Sequence, residues 1–215
     1  MLKSFLAIII SVIIVFPYTL LAQESNTIQI TGGIIMPLSS SKGLTASVQF
    51  DHPINSNIQF YFYAGYAAWD KFNISYFIDR SDIQQQTRFN TYLSDNHVLV
   101  NAYAGSRINF HTNKIFTAFT VIEIGYAHLS YNSYEINKII NPEGVVVGYF
   151  PYKGTVTSEN LLGIGAGLGL SHPLNKNVNL IFVFKLNSQI NSGYHGFLCK
   201  GVTYSAYNAG FNFRI

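Results

Sequence analysis

The sequence predicts an all-β protein: an eight-stranded antiparallel up-and-down transmembrane β-barrel with short periplasmic turns and longer extracellular β-ribbon loops. Two observations carry this prediction. Charged residues make up only 11% of the 215 residues and hydrophobic residues 48%, whereas ordinary globular domains are about 25% charged. The apolar residues also alternate with small or polar ones along eight segments, and a period of two is typical of an extended strand.

The first 22 residues are interpreted as a signal peptide, which leaves residues 23–215 as the barrel domain. Lys3 supplies the positive start, residues 5–16 are apolar apart from Ser11, and Ala22 is a small residue suited to cleavage. A retained membrane anchor is the alternative. The apolar run is short for a membrane-spanning helix, which needs about 20 residues.

Eight segments show the alternation, and each is long enough to cross a bilayer at a tilt. They are residues 28–36, 44–51, 58–66, 98–110, 116–126, 162–170, 178–187 and 206–215. The seventh reads VNLIFVFKLN and places Leu180 and Phe182 on one face and Lys185 on the other. A soluble barrel would turn its polar faces outward. Here the polar faces hold mostly Gly, Asn, Gln, Ser, Thr and Tyr, so we expect them to line a packed lumen.

Two stretches nearly repeat each other: DHPINSNIQFYF begins at Asp51 and SHPLNKNVNLIFVF at Ser171. Pro and Asn favour turns, so residues 52–57, 111–114 and 172–177 are predicted to be short turns at one end of the barrel. A metal site built from His52 and His172 is the alternative. No third ligand recurs with the two histidines, so neither a metal nor a cofactor is expected.

Two longer connectors, residues 69–96 and 131–160, are predicted to project as β-ribbons. FNISYFI and IQQQTRFNTYL flank residues 79–82 in the first connector. YNSYEINKII and VVVGYFPYKGTV flank Asn-Pro-Glu-Gly at residues 141–144 in the second. Pro at the second position and Gly at the fourth favour a type I turn there.

With its leader, its eight amphipathic strands and the ending NAGFNFRI, the chain resembles the small eight-stranded outer-membrane β-barrel proteins of Gram-negative bacteria. The resemblance covers residues 23–215. It implies location in the outer membrane with both mature termini in the periplasm, contact with outer-membrane lipid and lipopolysaccharide, and help from the barrel-assembly machinery during biogenesis. A net charge of +3 without a basic cluster argues against a nucleic-acid partner. The sequence identifies no extracellular ligand.

The stretch AHLSYNS, residues 127–133, is similar to the His-x-Ser-Asn motif of the outer-membrane lipid A deacylases. In that family a His activates a Ser to attack an acyl ester, and an acid orients the His. The similarity implies His128 and Ser130 as catalytic candidates, with Glu135 or Glu143 as the acid. Tyr131 interrupts the motif, and we prefer a His and a Ser at the membrane interface without catalytic activity.

The ionisable residues on the polar faces are predicted to form a lumenal ion-pair network, because buried charges need partners. The proposed members are Arg107, Glu123, Lys185 and Arg214, and Asp51 is the fifth charged residue on these faces. One Glu among three cations indicates that Asp51 or tyrosine hydroxyls also contribute. A selectivity filter is the alternative. The glycines at residues 163, 165, 167 and 169 are expected to make room for Tyr61, Tyr63 or Tyr103.

Three functions therefore stand as hypotheses. The preferred one is a non-catalytic barrel with a structural role, or a role in surface binding and adhesion through the two ribbons. The second is a lipid A acyl-ester hydrolase that uses His128 and Ser130. The third is a narrow channel for small solutes.

Overall fold

The computed structural model of the 215-residue chain describes residues 25–38, 40–70, 72–78, 87–190 and 203–215. The predicted signal peptide lies outside these residues. The described residues form nine antiparallel strands and contain no helix long and apolar enough to cross a membrane. The strands are β1 (Thr27–Pro37), β2 (Gly43–Pro53), β3 (Ile58–Trp69), β4 (Phe72–Ile78), β5 (Thr87–Thr112), β6 (Thr117–Ile140), β7 (Val146–Pro173), β8 (Val178–Gln189) and β9 (Thr203–Arg214).

The strands close into an up-and-down barrel. β1 pairs with β2 on one side and with β9 on the other, so the first and last strands meet. β3 pairs with β5 from Trp69↔His97 to Ile58↔Ile108, and this pairing closes the ring. β4 continues the line of β3 and pairs with β5 at residues 87–94. Because β3 and β4 lie on one line, the nine strand segments form eight strand positions around the barrel, which we call staves. This confirms the predicted fold.

The barrel turns apolar side chains outward and buries Glu123 and Lys185 inside, as the alternation predicts. On β6 the outward Ile122 and Ile124 are 58% and 65% exposed, whereas Glu123 between them is 4% exposed. On β8 Phe182 and Leu186 are about half exposed, and Lys185 is buried. Successive side chains of a strand point to opposite faces. The exposed aliphatic band would aggregate in water and suits contact with hydrocarbon.

The three predicted short turns are confirmed, and the same pattern of hydrogen bonds stabilises all of them. In each turn an Asn side-chain oxygen accepts two backbone N–H groups that follow it. Asn55 accepts those of residues 57 and 58 at 2.9 Å, and Asn113 those of residues 115 and 116 at 2.8 Å. Asn175 accepts those of residues 177 and 178 at 2.8 and 3.0 Å. These turns, with the start of β1 and the end of β9, define the short-turn end of the barrel.

Beyond the opposite end the staves continue as two β-ribbons. β5 and β6 stop pairing at Ser94↔Ser133, after which β5 pairs with β4, and β6 with β7 as far as Ile140↔Val146. The β6/β7 ribbon ends in the predicted turn, in which the Gly144 N–H donates to the Asn141 carbonyl oxygen at 2.9 Å. Gly144 has φ +82°, a conformation that favours glycine. The tip of the β4/β5 ribbon, residues 79–86, lies outside the described residues.

Candidate functional site

The lumen is filled by three layers of side chains. β6 shows their order: Phe119 and Val121 lie nearest the short turns, Glu123 follows, and Leu129 and Tyr131 lie nearest the ribbons. The layer at the short-turn end is apolar and consists of Tyr61, Phe119, Val121, Ile181 and Val183. The layer at the ribbon end is also apolar and contains Ile35, Ala67, Trp69, Leu99, Ala127, Leu129, Tyr131, Leu161, Tyr204 and Ala206. The Glu123–Lys185 pair lies between the two layers, and other buried polar side chains lie beside them.

Glu123 is the centre of the polar layer. Its Oε2 accepts hydrogen bonds from Lys185 Nζ at 2.7 Å and from the Tyr61 hydroxyl at 2.8 Å. Its Oε1 accepts one from Asn187 Nδ2 at 2.6 Å. The Lys185 ammonium also lies 4.0 Å from the centre of the Tyr63 ring. A buried ion pair with its remaining hydrogen-bonding capacity satisfied can tolerate the low dielectric of a packed interior.

Asp51 and Arg107 occupy the lumen nearer the short turns. Asp51 is 1% exposed and accepts hydrogen bonds from Gln49 at 2.6 Å, Thr27 at 3.0 Å and Asn212 at 3.1 Å. The Arg107 guanidinium lies 3.7 Å from the centre of the Phe119 ring. With Glu123 and Lys185, these residues make two acids and two bases, so the buried charge is balanced. Sequence reasoning had singled out Asp51 for its charge but not its amide and hydroxyl partners.

Arg214 does not join this network, so the prediction that placed it there was wrong. It has the inward parity of β9, but it is the last residue of that strand, and its side chain is exposed at the short-turn end. Alternation assigns a side chain to a face. It does not tell whether neighbouring staves extend far enough to cover that side chain.

The glycines of β7 make room for bulky neighbours, though mostly not for the tyrosines that were expected. A Cβ on Gly163 would overlap the Tyr103 hydroxyl, as predicted. A Cβ on Gly165 would meet Glu123 and Asn187, and one on Gly169 the Phe119 ring. Tyr61 and Tyr63 instead lie against two other glycines, on β5 and β3. These are Gly105 and Gly65.

A cluster at the base of the ribbons ties three strands together. The His97 ring is stacked between the rings of Trp69 and Tyr131, with centroids 5.0 and 5.4 Å apart. Asp95 on β5 accepts hydrogen bonds from Asn132 Nδ2 at 2.9 Å and from the Tyr134 hydroxyl at 3.0 Å on β6. The register shifts between Asp95 and Val98. We name Trp69, Asp95, His97, Tyr131, Asn132 and Tyr134 the ribbon base; sequence reasoning missed it because its members come together only across strands.

Similar architectures are found among solved structures. Neisserial surface protein A is 14% identical with a TM-score of 0.57, and the alignment covers 88% of this chain and 97% of that protein. A major outer membrane protein from Thermus thermophilus is 14% identical with a TM-score of 0.53, over 89% of this chain and 100% of that one. This chain has the fold of the small eight-stranded outer-membrane β-barrel proteins. No family model and no curated protein matches it.

In this outer-membrane barrel fold, His128 and Ser130 lie on the outward face of β6. His128 Nδ1 lies 2.9 Å from the side-chain oxygen of Asn160 on β7, so its partner there is an amide and not a carboxylate. Glu143 lies in the turn at the tip of the ribbon and contacts Asn141, and Glu135 has the opposite strand parity. The structure therefore does not bring His128, Ser130 and an expected acid together. An acid that orients the His is part of the relay that such hydrolysis uses.

The two histidines of the repeated phrase also stay apart in the barrel. His52 Nδ1 lies 2.8 Å from the Asn26 side-chain oxygen, and His172 Nδ1 lies 2.6 Å from the Ile115 carbonyl oxygen. Within the described ranges no group of three or more His, Cys, Asp or Glu side chains is placed to hold a metal ion. Each histidine instead ties its strand to the neighbouring part of the rim.

Proposed function

We propose that this chain is an outer-membrane anchor that binds surface ligands through its two ribbons. In the proposed orientation the short turns and both mature termini face the periplasm, and the ribbons face outward beyond the lipopolysaccharide. A signal peptide at residues 1–22 and the barrel-assembly machinery would deliver the chain to the membrane. The barrel then acts as a holder, and the ligand contacts are made by the β4/β5 and β6/β7 ribbons.

The observation that carries this proposal is the β6/β7 ribbon. Its pairing runs from Tyr131↔Thr157 to Ile140↔Val146, a projection of about 30 Å at the rise of an extended strand. Tyr152 and Val156 are 65% and 78% exposed on it. Large apolar side chains on a projecting segment are typical of binding surfaces.

The ribbon also offers backbone groups to a partner. β7 pairs with β8 only from Gly163 toward the short-turn end. From Val146 to Ser158, none of the described strands pairs with its second edge. An open strand edge can add a strand from another molecule through main-chain hydrogen bonds. Side chains such as Phe150 and Tyr152 would then select the partner.

The filled lumen supports the anchor over the channel. Two apolar layers lie on either side of the Glu123–Lys185 pair, and their central side chains, such as Tyr61 and Leu129, are fully buried. Such packing is typical of eight-stranded barrels, whose interiors are just wide enough for side chains.

The test shortens the β6/β7 ribbon without touching the barrel. Tyr134 and Gly154 lie opposite each other, so residues 135–153 can be replaced by Asn-Gly, a two-residue hairpin turn. Bacteria displaying either form are compared for attachment to an array of extracellular-matrix proteins and glycans. We expect the full-length form to attach to a subset of the array and the shortened form to lose that attachment.

A second variant separates side-chain contacts from ribbon length. The double change Tyr152→Ser and Val156→Ser keeps the ribbon and removes its most exposed apolar side chains, and it should weaken the same attachment. The change Lys138→Ser is the matched control on the neighbouring strand. Attachment that survives removal of residues 135–153 would contradict binding by this ribbon.

A further inference from the structure

The short-turn end carries an uneven distribution of charge. Lys114, Lys176 and Arg214 are all exposed there. The acid nearest to them, Asp51, is 1% exposed and points into the lumen. The other described acids outside the lumen lie at the ribbon end or on the ribbons. These are Asp70, Asp95, Glu135, Glu143 and Glu159. Among the described residues, the exposed side-chain charge of the short-turn end is therefore entirely positive.

The three cations occupy consecutive positions on the rim. The His172 ring contacts the Ile115 carbonyl oxygen at 2.6 Å, which places the Lys114 turn beside β7 and its turn to β8. The Arg214 N–H donates to the Asn177 carbonyl oxygen at 2.8 Å, which places Arg214 beside the Lys176 turn. We name Lys114, Lys176 and Arg214 the basic arc. It spans the rim from the β5/β6 turn to the end of β9.

An exposed apolar residue accompanies each cation of the arc. Ile115 is 65% exposed, Leu174 51% and Ile215 63%. Apolar side chains at this rim continue the outward band that includes Phe110 and Leu170. Cations next to exposed aliphatic side chains suit the boundary between headgroups and acyl chains, where each group finds its preferred surroundings.

We propose that the basic arc binds the phosphate groups of anionic glycerophospholipids in the leaflet that meets the short turns. Lys114, Lys176 and Arg214 contact the phosphates, and Ile115 and Leu174 insert among the acyl chains. In the proposed orientation this is the periplasmic leaflet. The inference depends on membrane insertion and that orientation but not on ligand binding by the ribbons.

The chain supplies its own matched substitution. Lys114 and Lys176 each follow the Asn that accepts two backbone N–H groups, and Ser56 has the same position in the third turn. Lys114→Ser and Lys176→Ser therefore convert two turns to the side chain that the third already uses. Ser56→Lys makes the reverse change and extends the arc. Arg214→Gln removes the remaining cation. The triple variant combines Lys114→Ser, Lys176→Ser and Arg214→Gln.

The experiment uses the full-length mature barrel in phosphatidylcholine vesicles with trace spin-labelled phosphatidylglycerol or phosphatidylcholine. The measured quantity is the fraction of spin-labelled phosphatidylglycerol that associates with the protein, divided by the same fraction for spin-labelled phosphatidylcholine. A cation near an anionic bilayer surface contributes about fivefold to binding. We expect the wild type to prefer phosphatidylglycerol severalfold, the triple variant to bind both tracers equally, and Ser56→Lys to raise the preference. At 1 M salt the preference should fall, because the screening length is then about 3 Å.

Lys153→Ser on the β7 ribbon is the control, because it removes an exposed cation far from the turns. The proposal is overturned if the wild type shows no preference, if the triple variant keeps it, or if Lys153→Ser lowers it equally. Two further arms test other anions. The proposal is also overturned if the basic arc binds lipid A more strongly than phosphatidylglycerol. It is overturned as well if the arc makes the protein sediment with purified peptidoglycan while no lipid preference is seen. The shortened-ribbon form should keep the lipid preference, so ribbon binding can fail independently.

Discussion

At Glu123, three hydrogen bonds converge on a single buried carboxylate, and one of them is the ion pair with Lys185. Changing it to Gln keeps the shape but leaves the Lys185 ammonium without its counter-charge. We expect Glu123→Gln to lower the free energy of unfolding by roughly 3–5 kcal/mol, the usual effect of removing one partner of a buried pair. Urea unfolding in detergent micelles, followed by circular dichroism, measures it.

Two controls distinguish the lost pair from a general effect. Glu135→Gln on the exposed ribbon should change the free energy of unfolding by less than about 0.5 kcal/mol. The double change Glu123→Gln and Lys185→Met removes both charges and should recover most of the stability. If the double variant is as unstable as Glu123→Gln alone, the unpaired ammonium is not the cause.

Gly169 is the residue-scale test of lumenal packing. A Cβ there would overlap the Phe119 ring, whereas a Cβ on Gly32 would lie 3.7 Å from its nearest neighbour, the Thr45 carbonyl oxygen. We expect Gly169→Ala to lower the free energy of unfolding by roughly 1–3 kcal/mol, the usual cost of overpacking. Gly32→Ala should be neutral or slightly stabilising in the same urea titration. Equal effects of the two changes would contradict the packing argument.

The Asn residues of the short turns act at the scale of the element. Asn175 accepts two backbone N–H groups that the turn would otherwise leave to water. We expect Asn175→Ala to lower the free energy of unfolding by about 1 kcal/mol. Asn175→Asp keeps the acceptor oxygens and should lose less. Refolding kinetics into vesicles offer a second readout, since a misdirected turn slows the pairing of β7 with β8.

The ribbon base lies where the ribbons leave the barrel. The Tyr134 hydroxyl donates a hydrogen bond to the Asp95 carboxylate. This bond raises the pKa of Tyr134, because it favours the protonated phenol. This contact is fully present below the ordinary phenol pKa of about 10 and is lost as the pH rises through the higher folded value. We expect Asp95→Asn to lower the pKa of Tyr134. Tyrosine absorbance titration of Asp95→Asn, with Tyr134→Phe as the reference, measures the change; an unchanged titration would contradict the contact.

At the scale of the whole molecule, the layered lumen predicts that the barrel does not conduct. The apolar layers contain large, fully buried side chains, among them Tyr61, Phe119 and Leu129. Hydrophobic constrictions exclude water and therefore ions. We expect no steady open current from the purified protein in planar bilayers. Stable open steps would show that the packed arrangement is not maintained in a membrane.

Much of the molecule follows from local pattern. Alternation along each segment predicted the eight staves, and the Asn-containing phrases at residues 52–57 and 172–177 predicted two of the short turns, because both signals act over a few neighbouring residues. Strand ends were less accurate. β5 and β7 extend well beyond residues 98–110 and 162–170, since the ribbons keep pairing after the apolar alternation ends.

Relations between distant strands followed only in part. Arg107, Glu123 and Lys185 were predicted to be lumenal from their parity, and all three are buried. The alternation did not show that Arg214 lies beyond the ends of the neighbouring strands and is therefore exposed. It also could not show that His128 and Glu143 lie far apart along a ribbon.

The sequence by itself determined which face of each strand points outward and which lines the lumen, because side-chain direction in a strand follows from the backbone repeat. It also determined where the chain reverses at the three short turns and at the tip of the β6/β7 ribbon. Only the tertiary structure decided which lumenal groups pair, as Glu123 does with Lys185 across 62 residues of chain. It also decided which cations share a rim, because closing the barrel sets the register between strands and brings the first and last strands together.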